Sequence, residues 1–214
     1  FVASEFYRQA AYRYGRELPW AAASRPVGAP ENAIGGEALV KALGFPAGSV
    51  LEFLKDPVEN YRGVRVQPFA KDGAAAGVVV KPGDPAGVRI PLSGKAARLT
   101  LFHCLNKQPG DFRMHGYKKE YQGASPGAYI LHYTDGTQER WDPGFRIHVN
   151  DWNDAYPARE AEVGLFGTVG GNLHVNIPTC TWVNPQPDKE LQALEILSGN
   201  RPGLDLALLG VAMD

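Results

Sequence analysis

The chain has 214 residues, 44% of them hydrophobic, enough to bury the core of one sizeable domain or of one domain plus an appendage. Its 22 basic and 23 acidic side chains leave a formal net charge of −1, with no basic excess to draw a nucleic acid. No apolar run approaches the roughly 20 residues of a membrane-spanning helix, and 25 Gly with 17 Pro punctuate the sequence as many short strands and turns do.

The chain begins at Phe1 rather than Met, the pattern expected of a processed chain from which a signal peptide has been removed or of a piece excised from a longer one. Tyr7, Ala11, Tyr14 and Leu18 recur on one face of a helix, which Pro19 stops. Glu37 to Leu43 predicts a second short helix with Gly44 as its C-terminal cap. Val50 to Leu54 reads as a strand or as the end of this helical region. Residues 1–58 are therefore expected to form a helical lead-in that packs on the main domain or links it to something upstream. Residues 59–214 are expected to form one β domain.

From Tyr61 the period changes to two. Val64 and Val66 alternate with Arg65 and Gln67, and Val78–Lys81, Val88–Leu92 and Arg98–His103 follow, each bounded by Gly, Pro or Asp. Short strands at this spacing predict an all-β sandwich or barrel. Ala128 to Trp141 holds the strongest local signal, Asp135-Gly136 between two strand-like runs, which predicts a two-residue hairpin turn. That turn would set Thr134 opposite Thr137, His132 opposite Glu139 and Ile130 opposite Trp141. Ile130, His132 and Thr134 would then share a face with Thr137, Glu139 and Trp141. Leu173, Val175 and Ile177 alternate. Leu191, Leu194 and Ile196 change phase, which predicts a bulge. Leu204 to Ala212 is nearly all apolar and predicts a central or closing strand.

Two cysteines, Cys104 and Cys180, are expected either to pair across neighbouring strands or to sit as buried free thiols. No Cys-x-x-Cys and no His-x-His followed by Glu is present, so neither a zinc site nor a cupin-type metal site is expected. Gly123-Ala124-Ser125-Pro126-Gly127 has the letters of Gly-x-Ser-x-Gly but runs into a strand-like stretch and not a helix, so no serine-hydrolase elbow is expected.

Two segments carry a resemblance. One is Tyr129-Ile130-Leu131-His132-Tyr133-Thr134-Asp135-Gly136-Thr137, followed by Phe145 to Trp152. The other is Trp182-Val183-Asn184-Pro185-Gln186-Pro187-Asp188-Lys189-Glu190-Leu191, followed by Leu194 to Ser198. Together they resemble the galactose-binding-like jelly-roll domains attached to bacterial polysaccharide-degrading enzymes. Those domains often show a strand ending in Tyr-x-Asp-Gly, a Gly-x-Asn-x-x-Asp-Trp stretch and an Asn-Pro-x-Pro-Asp-Lys-Glu-Ile segment. Leu99 to His103 is similar to the strand that opens their core. The likeness spans roughly residues 61–214, and Phe145 to Asn150 departs from it.

The resemblance implies an all-β antiparallel sandwich of jelly-roll type behind a short helical N-terminal segment. It implies export, to the medium, the periplasm or the cell surface, and a large carbohydrate-processing parent. The expected function is a non-catalytic carbohydrate-binding or accessory module. The alternatives are a purely structural or protein-contact domain, or a jelly-roll polysaccharide lyase using Tyr129, His132, Tyr133 and Arg140. Expected partners are a polysaccharide or oligosaccharide and other domains of the parent, with no nucleic acid and no membrane. No cofactor is expected. Domains of this fold often hold one structural Ca²⁺, but no Asp-rich series places it here.

A sugar needs aromatic faces beside amides, carboxylates or imidazoles. The candidates are Trp152 with Asp151, Asn150 and His148, then Tyr156, then Tyr117 and Tyr121 in the long loop from Lys107 to Ser125, and Trp182. For Trp152 a structural part, plugging the edge of the sandwich, is the competing expectation. Arg113, Lys118 and Lys119 interleave with the two loop tyrosines, a pattern that would grip an acidic polysaccharide.

Overall fold

Short strands that are apolar on alternate residues need a second surface to bury against, and this chain supplies it with two antiparallel sheets that share one core. The computed structural model describes residues 24–47, 49, 51–60, 63–106, 123–154, 158–169 and 173–214. The helix expected around Tyr7 to Leu18 lies outside them.

In chain order the strands are β1 (Arg25–Pro26), β2 (Ile34–Gly35), β3 (Val58–Glu59), β4 (Arg65–Val66), β5 (Ala70–Lys71), β6 (Ala74–Val80) and β7 (Val88–Pro91). They continue as β8 (Arg98–Leu105), β9 (Gly127–Tyr133), β10 (Gln138–Trp141), β11 (Glu162–Val169), β12 (Leu173–Val183), β13 (Leu191–Ser198) and β14 (Leu206–Met213). The larger sheet runs β11-β12-β8-β14-β6-β2, with β1 against β14 and β5 against β6. The smaller runs β10-β9-β13-β7. This is a mostly β chain with the character of a sandwich, as the period-two pattern predicts.

Between the sheets, Leu99, Leu101, Leu206, Leu208 and Val211 of the larger meet Ile90, Tyr129, Leu131, Leu194 and Ile196 of the smaller. Each such side chain, once fully buried, stabilises by about 1.5–3 kcal/mol. The bulge predicted between Leu191 and Leu194 is present, as a register shift between Leu191 and Ala193.

The outer face of the larger sheet is covered as well. Helix α1 (Gly36–Leu43) ends at Gly44, whose φ of 67° is the left-handed cap that its lack of a Cβ permits. Residues 52–54 form a single 3-10 turn rather than a strand. Leu39, Leu43, Phe45, Leu54, Val58 and Val66 pack on Phe102, Cys104, Val175, Ile177 and Leu209. The described residues before 59 thus form a third layer, and β1 and β2 also hydrogen-bond into the larger sheet.

Strand β14 separates the two cores. Leu206, Leu208, Val211 and Met213 face the smaller sheet, while Ala207, Leu209 and Ala212 face the N-terminal layer. The change of phase falls at a register shift between Leu208 and Gly210. A Cβ on Gly210 would lie 2.8 Å from the Gln67 carbonyl oxygen, so the close approach of that chain requires glycine. This double burial explains why residues 204–212 are almost entirely apolar.

Candidate functional site

The hairpin of β9 and β10 turns through three residues, not two. The Tyr133 amide donates to the Thr137 carbonyl, the Gly136 amide donates to Tyr133, and Gly136 takes a φ of 85°. This is the type I turn with a left-handed third residue. The pairs are therefore His132 with Gln138, Leu131 with Glu139, Ile130 with Arg140 and Tyr129 with Trp141. The extra turn residue moves Glu139 and Trp141 to the face of Tyr129, Leu131 and Tyr133, correcting the expected register.

Trp141 thus reaches the edge of the core. Its ring lies 5.8 Å from Tyr129 at 20°, 6.3 Å from His103 at 21° and 5.8 Å from Trp182 at 29°. His148 meets it edge-on at 5.2 Å. Trp141 is half-buried, and Trp182 is 7% exposed.

Behind these rings runs a buried hydrogen-bond chain. The His148 carbonyl accepts from His103 Nε2 at 3.1 Å, so that nitrogen carries the proton. His103 Nδ1 is then the acceptor, and the Tyr129 hydroxyl donates to it at 3.0 Å. Burial lowers His103 to about 4, which keeps it neutral, and raises Tyr129 well above its usual range. The His148 ring is fixed in the same way. Its Nδ1 accepts the Gly144 amide at 2.9 Å, so Nε2 bears the proton, 3.6 Å from Glu160 Oε2. Burial lowers the His148 pKa, against the nearby Glu160 carboxylate, which raises it. The turn between Gly144 and His148 places Arg146 at a φ of 61°, and its guanidinium holds Asp154 at 2.9 Å.

A second polar group joins the segment from Tyr129 to Thr137 with that from Trp182 to Leu191. The Tyr133 hydroxyl donates to Asn184 Oδ1, Asn184 Nδ2 donates to the Ala96 carbonyl at 2.8 Å, and the Gln186 amide donates to Asn184 Oδ1 at 3.0 Å. Lys189 reaches Asp135 at 2.7 Å and Thr137 Oγ1 at 2.9 Å. The Lys189 hydrogen bond holds the Asp135 carboxyl well below the usual range, and burial pushes Tyr133 up to about 12.

The expected sugar residues part company. Trp152 is fully buried, stacked 4.0 Å from Phe45, with its N–H donated to the Leu43 carbonyl at 2.6 Å. The segment Asn150 to Trp152 runs between the end of β8 and β12: the Leu105 amide donates to Asn150, the Trp152 amide to Leu105, and the Asn176 amide to Trp152. That wedge sends the indole into the N-terminal layer and buries Asn150 and Asp151 too. A sugar-facing Trp152 is therefore corrected to a core residue. Trp182 and His148 do come together, beside Trp141. Tyr117, Tyr121 and Tyr156 lie outside the described residues.

The lyase candidates do not converge. Tyr129 and Tyr133 face the core, His132 bonds Glu195 at 2.6 Å rather than Glu139, and Arg140 grips Asp142 at 2.7 Å. Cys104 and Cys180 are buried free thiols, Cys104 facing the N-terminal layer, and burial raises its pKa. Among the described residues no three His, Cys, Asp or Glu side chains gather as a metal site, and no helix is long and apolar enough to cross a membrane.

Sequence reasoning did not bring Trp141 to His148 and Trp182, because the two-residue turn set it on the opposite face. No family model matches this chain, and no curated protein or solved structure matches it either.

Proposed function

We propose that this chain is a non-catalytic carbohydrate-binding or accessory β-sandwich of the galactose-binding-like, jelly-roll kind, serving an exported polysaccharide-acting protein. One observation supports it above the others. The side chains suited to acid–base work on a polysaccharide are committed to one another: Tyr129 to His103, Tyr133 to Asn184, His132 to Glu195 and Arg140 to Asp142. A catalytic pair needs at least one partner free to reach substrate.

The test is to incubate the chain with neutral and uronate-containing polysaccharides and follow new reducing ends and unsaturated uronate ends. No turnover is expected. Turnover that a Tyr129→Phe or His132→Gln change abolishes would overturn the reading in favour of a lyase.

The purely structural alternative is favoured by the complete burial of Trp152. It predicts that the chain binds no glycan and instead raises the unfolding temperature of a neighbouring domain joined to it.

A further inference from the structure

We propose that the edge where β10 meets β12 is a subsite for a neutral pyranose, with the Trp141 indole as its apolar floor and His148, Glu160 and Arg159 as its polar rim. The proposal rests on the accessory-module reading above and adds a place and a ligand class to it.

Two tryptophans lie side by side here, and their polar atoms are unspent. Among the described residues no acceptor meets Nε1 of Trp141 or of Trp182. The contrast with Trp152 is direct, since that indole gives its N–H to Leu43. A buried tryptophan normally finds a partner for its N–H. The Trp182 ring is 7% exposed and finds no acceptor among the described residues, and its Nε1 is not sealed from solvent, so that N–H is open to a hydroxyl arriving from outside.

The floor is built before any ligand arrives. Tyr129, His103 and Trp182 lie nearly parallel to Trp141 within 6.3 Å. The buried Tyr129–His103–His148 chain ties this group to the turn that carries the rim. Preorganisation of this kind lowers the ordering cost of binding.

The rim fixes the class of ligand. Because Gly144 occupies Nδ1, the outward nitrogen of His148 is a donor. Glu160 offers two carboxylate oxygens as acceptors for neighbouring hydroxyls, and Arg159 offers donors. Arg159 and Glu160 pair at 2.8 Å, and their side chains are 63% and 54% exposed. Their charges cancel, so the rim presents mixed donors and acceptors without the net positive charge that a uronate or a sulfated sugar requires. An apolar floor with a neutral, mixed rim fits the C–H face and the hydroxyls of an uncharged hexose.

The experiment is affinity electrophoresis and titration calorimetry of the full chain with gluco-, galacto- and manno-configured oligosaccharides and their uronate counterparts. It compares wild type, Trp141→Ala, Trp141→Phe and the exposed rim variant Glu160→Gln, with unfolding temperature measured for each. A neutral oligosaccharide is expected to bind wild type. Trp141→Ala should lose about tenfold or more in affinity, Trp141→Phe less, and Glu160→Gln should weaken binding with no change in unfolding temperature. If no neutral sugar binds, if only uronates bind, or if both Trp141→Ala and Glu160→Gln bind as wild type does, the subsite is wrong. Turnover of a polysaccharide, measured separately, would instead overturn the accessory reading beneath it.

Discussion

Two polar regions sit on the same sandwich and use their side chains in opposite ways. At the hairpin end, Tyr133, Asp135, Thr137, Asn184 and Lys189 fasten to one another. At the β10 edge, Trp141 and Trp182 stack while neither indole N–H has an acceptor among the described residues. Both regions draw on the segments singled out in the sequence, Tyr133, Asp135, Asn184 and Lys189 in the first and Trp182 in the second, whereas Trp141 lies outside them. The N–H groups of Trp141 and Trp182 mark where the proposed subsite would take hold of a sugar.

This contrast can be broken by substitution. The largest effect is expected from a residue belonging to neither region. Trp152→Ala removes a fully buried indole stacked on Phe45 and should cost about 3–5 kcal/mol in urea unfolding. Any loss of glycan binding in that variant should track the unfolded fraction.

Next comes acid. Burial holds His103 at about 4 against 6.5 for a free imidazole. As pH falls below about 6.5, the unfolded chain takes a proton that the folded chain refuses. The stability tied to His103 is complete above that pH, declines across the window and is lost by about pH 4, on the order of 3 kcal/mol. Urea midpoints measured across this window should show the slope, and His103→Leu should remove its share.

Asn184→Ala should follow, at about 2 kcal/mol, because it strands the Tyr133 hydroxyl and the Ala96 carbonyl inside the protein. Glycan affinity should not change in this variant. If it did, the two regions would be one site. Lys189→Ala is the smallest: its partner Asp135 is exposed, so only a barely measurable, salt-sensitive shift in melting temperature is expected.

Much of the fold was legible. Gly44 marked the end of α1, the change of phase after Leu191 marked the bulge, and the apolar run from Leu204 marked a strand buried on both faces. These signals are local, and each has one structural solution. The hairpin was legible as a hairpin but not in register. Asp135-Gly136 serves a two-residue turn and also a three-residue turn with Gly in the last place, and the sequence at the turn does not separate them. One residue of slip put Trp141 on the wrong face, and the candidate site went with it. Trp152 misled for another reason. A polar stretch around an aromatic reads as a loop tip, yet Asn150 to Trp152 is bonded between β8 and β12, and only long-range contacts reveal that. Of the helical lead-in read before residue 59, the described part holds one helix, Gly36–Leu43, beside short strands that the pattern did not foresee. Packing on the main domain was one of the two expectations, but which sheet face it covers was not legible, since that face lies far along the chain.

Strand β14 has a consequence for how the protein is made. It sits mid-sheet between β8 and β6, and its two faces complete the two cores. A ribosome delivers it after all the other strands described. Until residue 213 clears the exit tunnel, neither apolar layer has its central wall, and β6 and β8 have no strand between them. The growing chain must wait with those edges unpaired, open to chaperones and to one another, and then close both layers in a single late event.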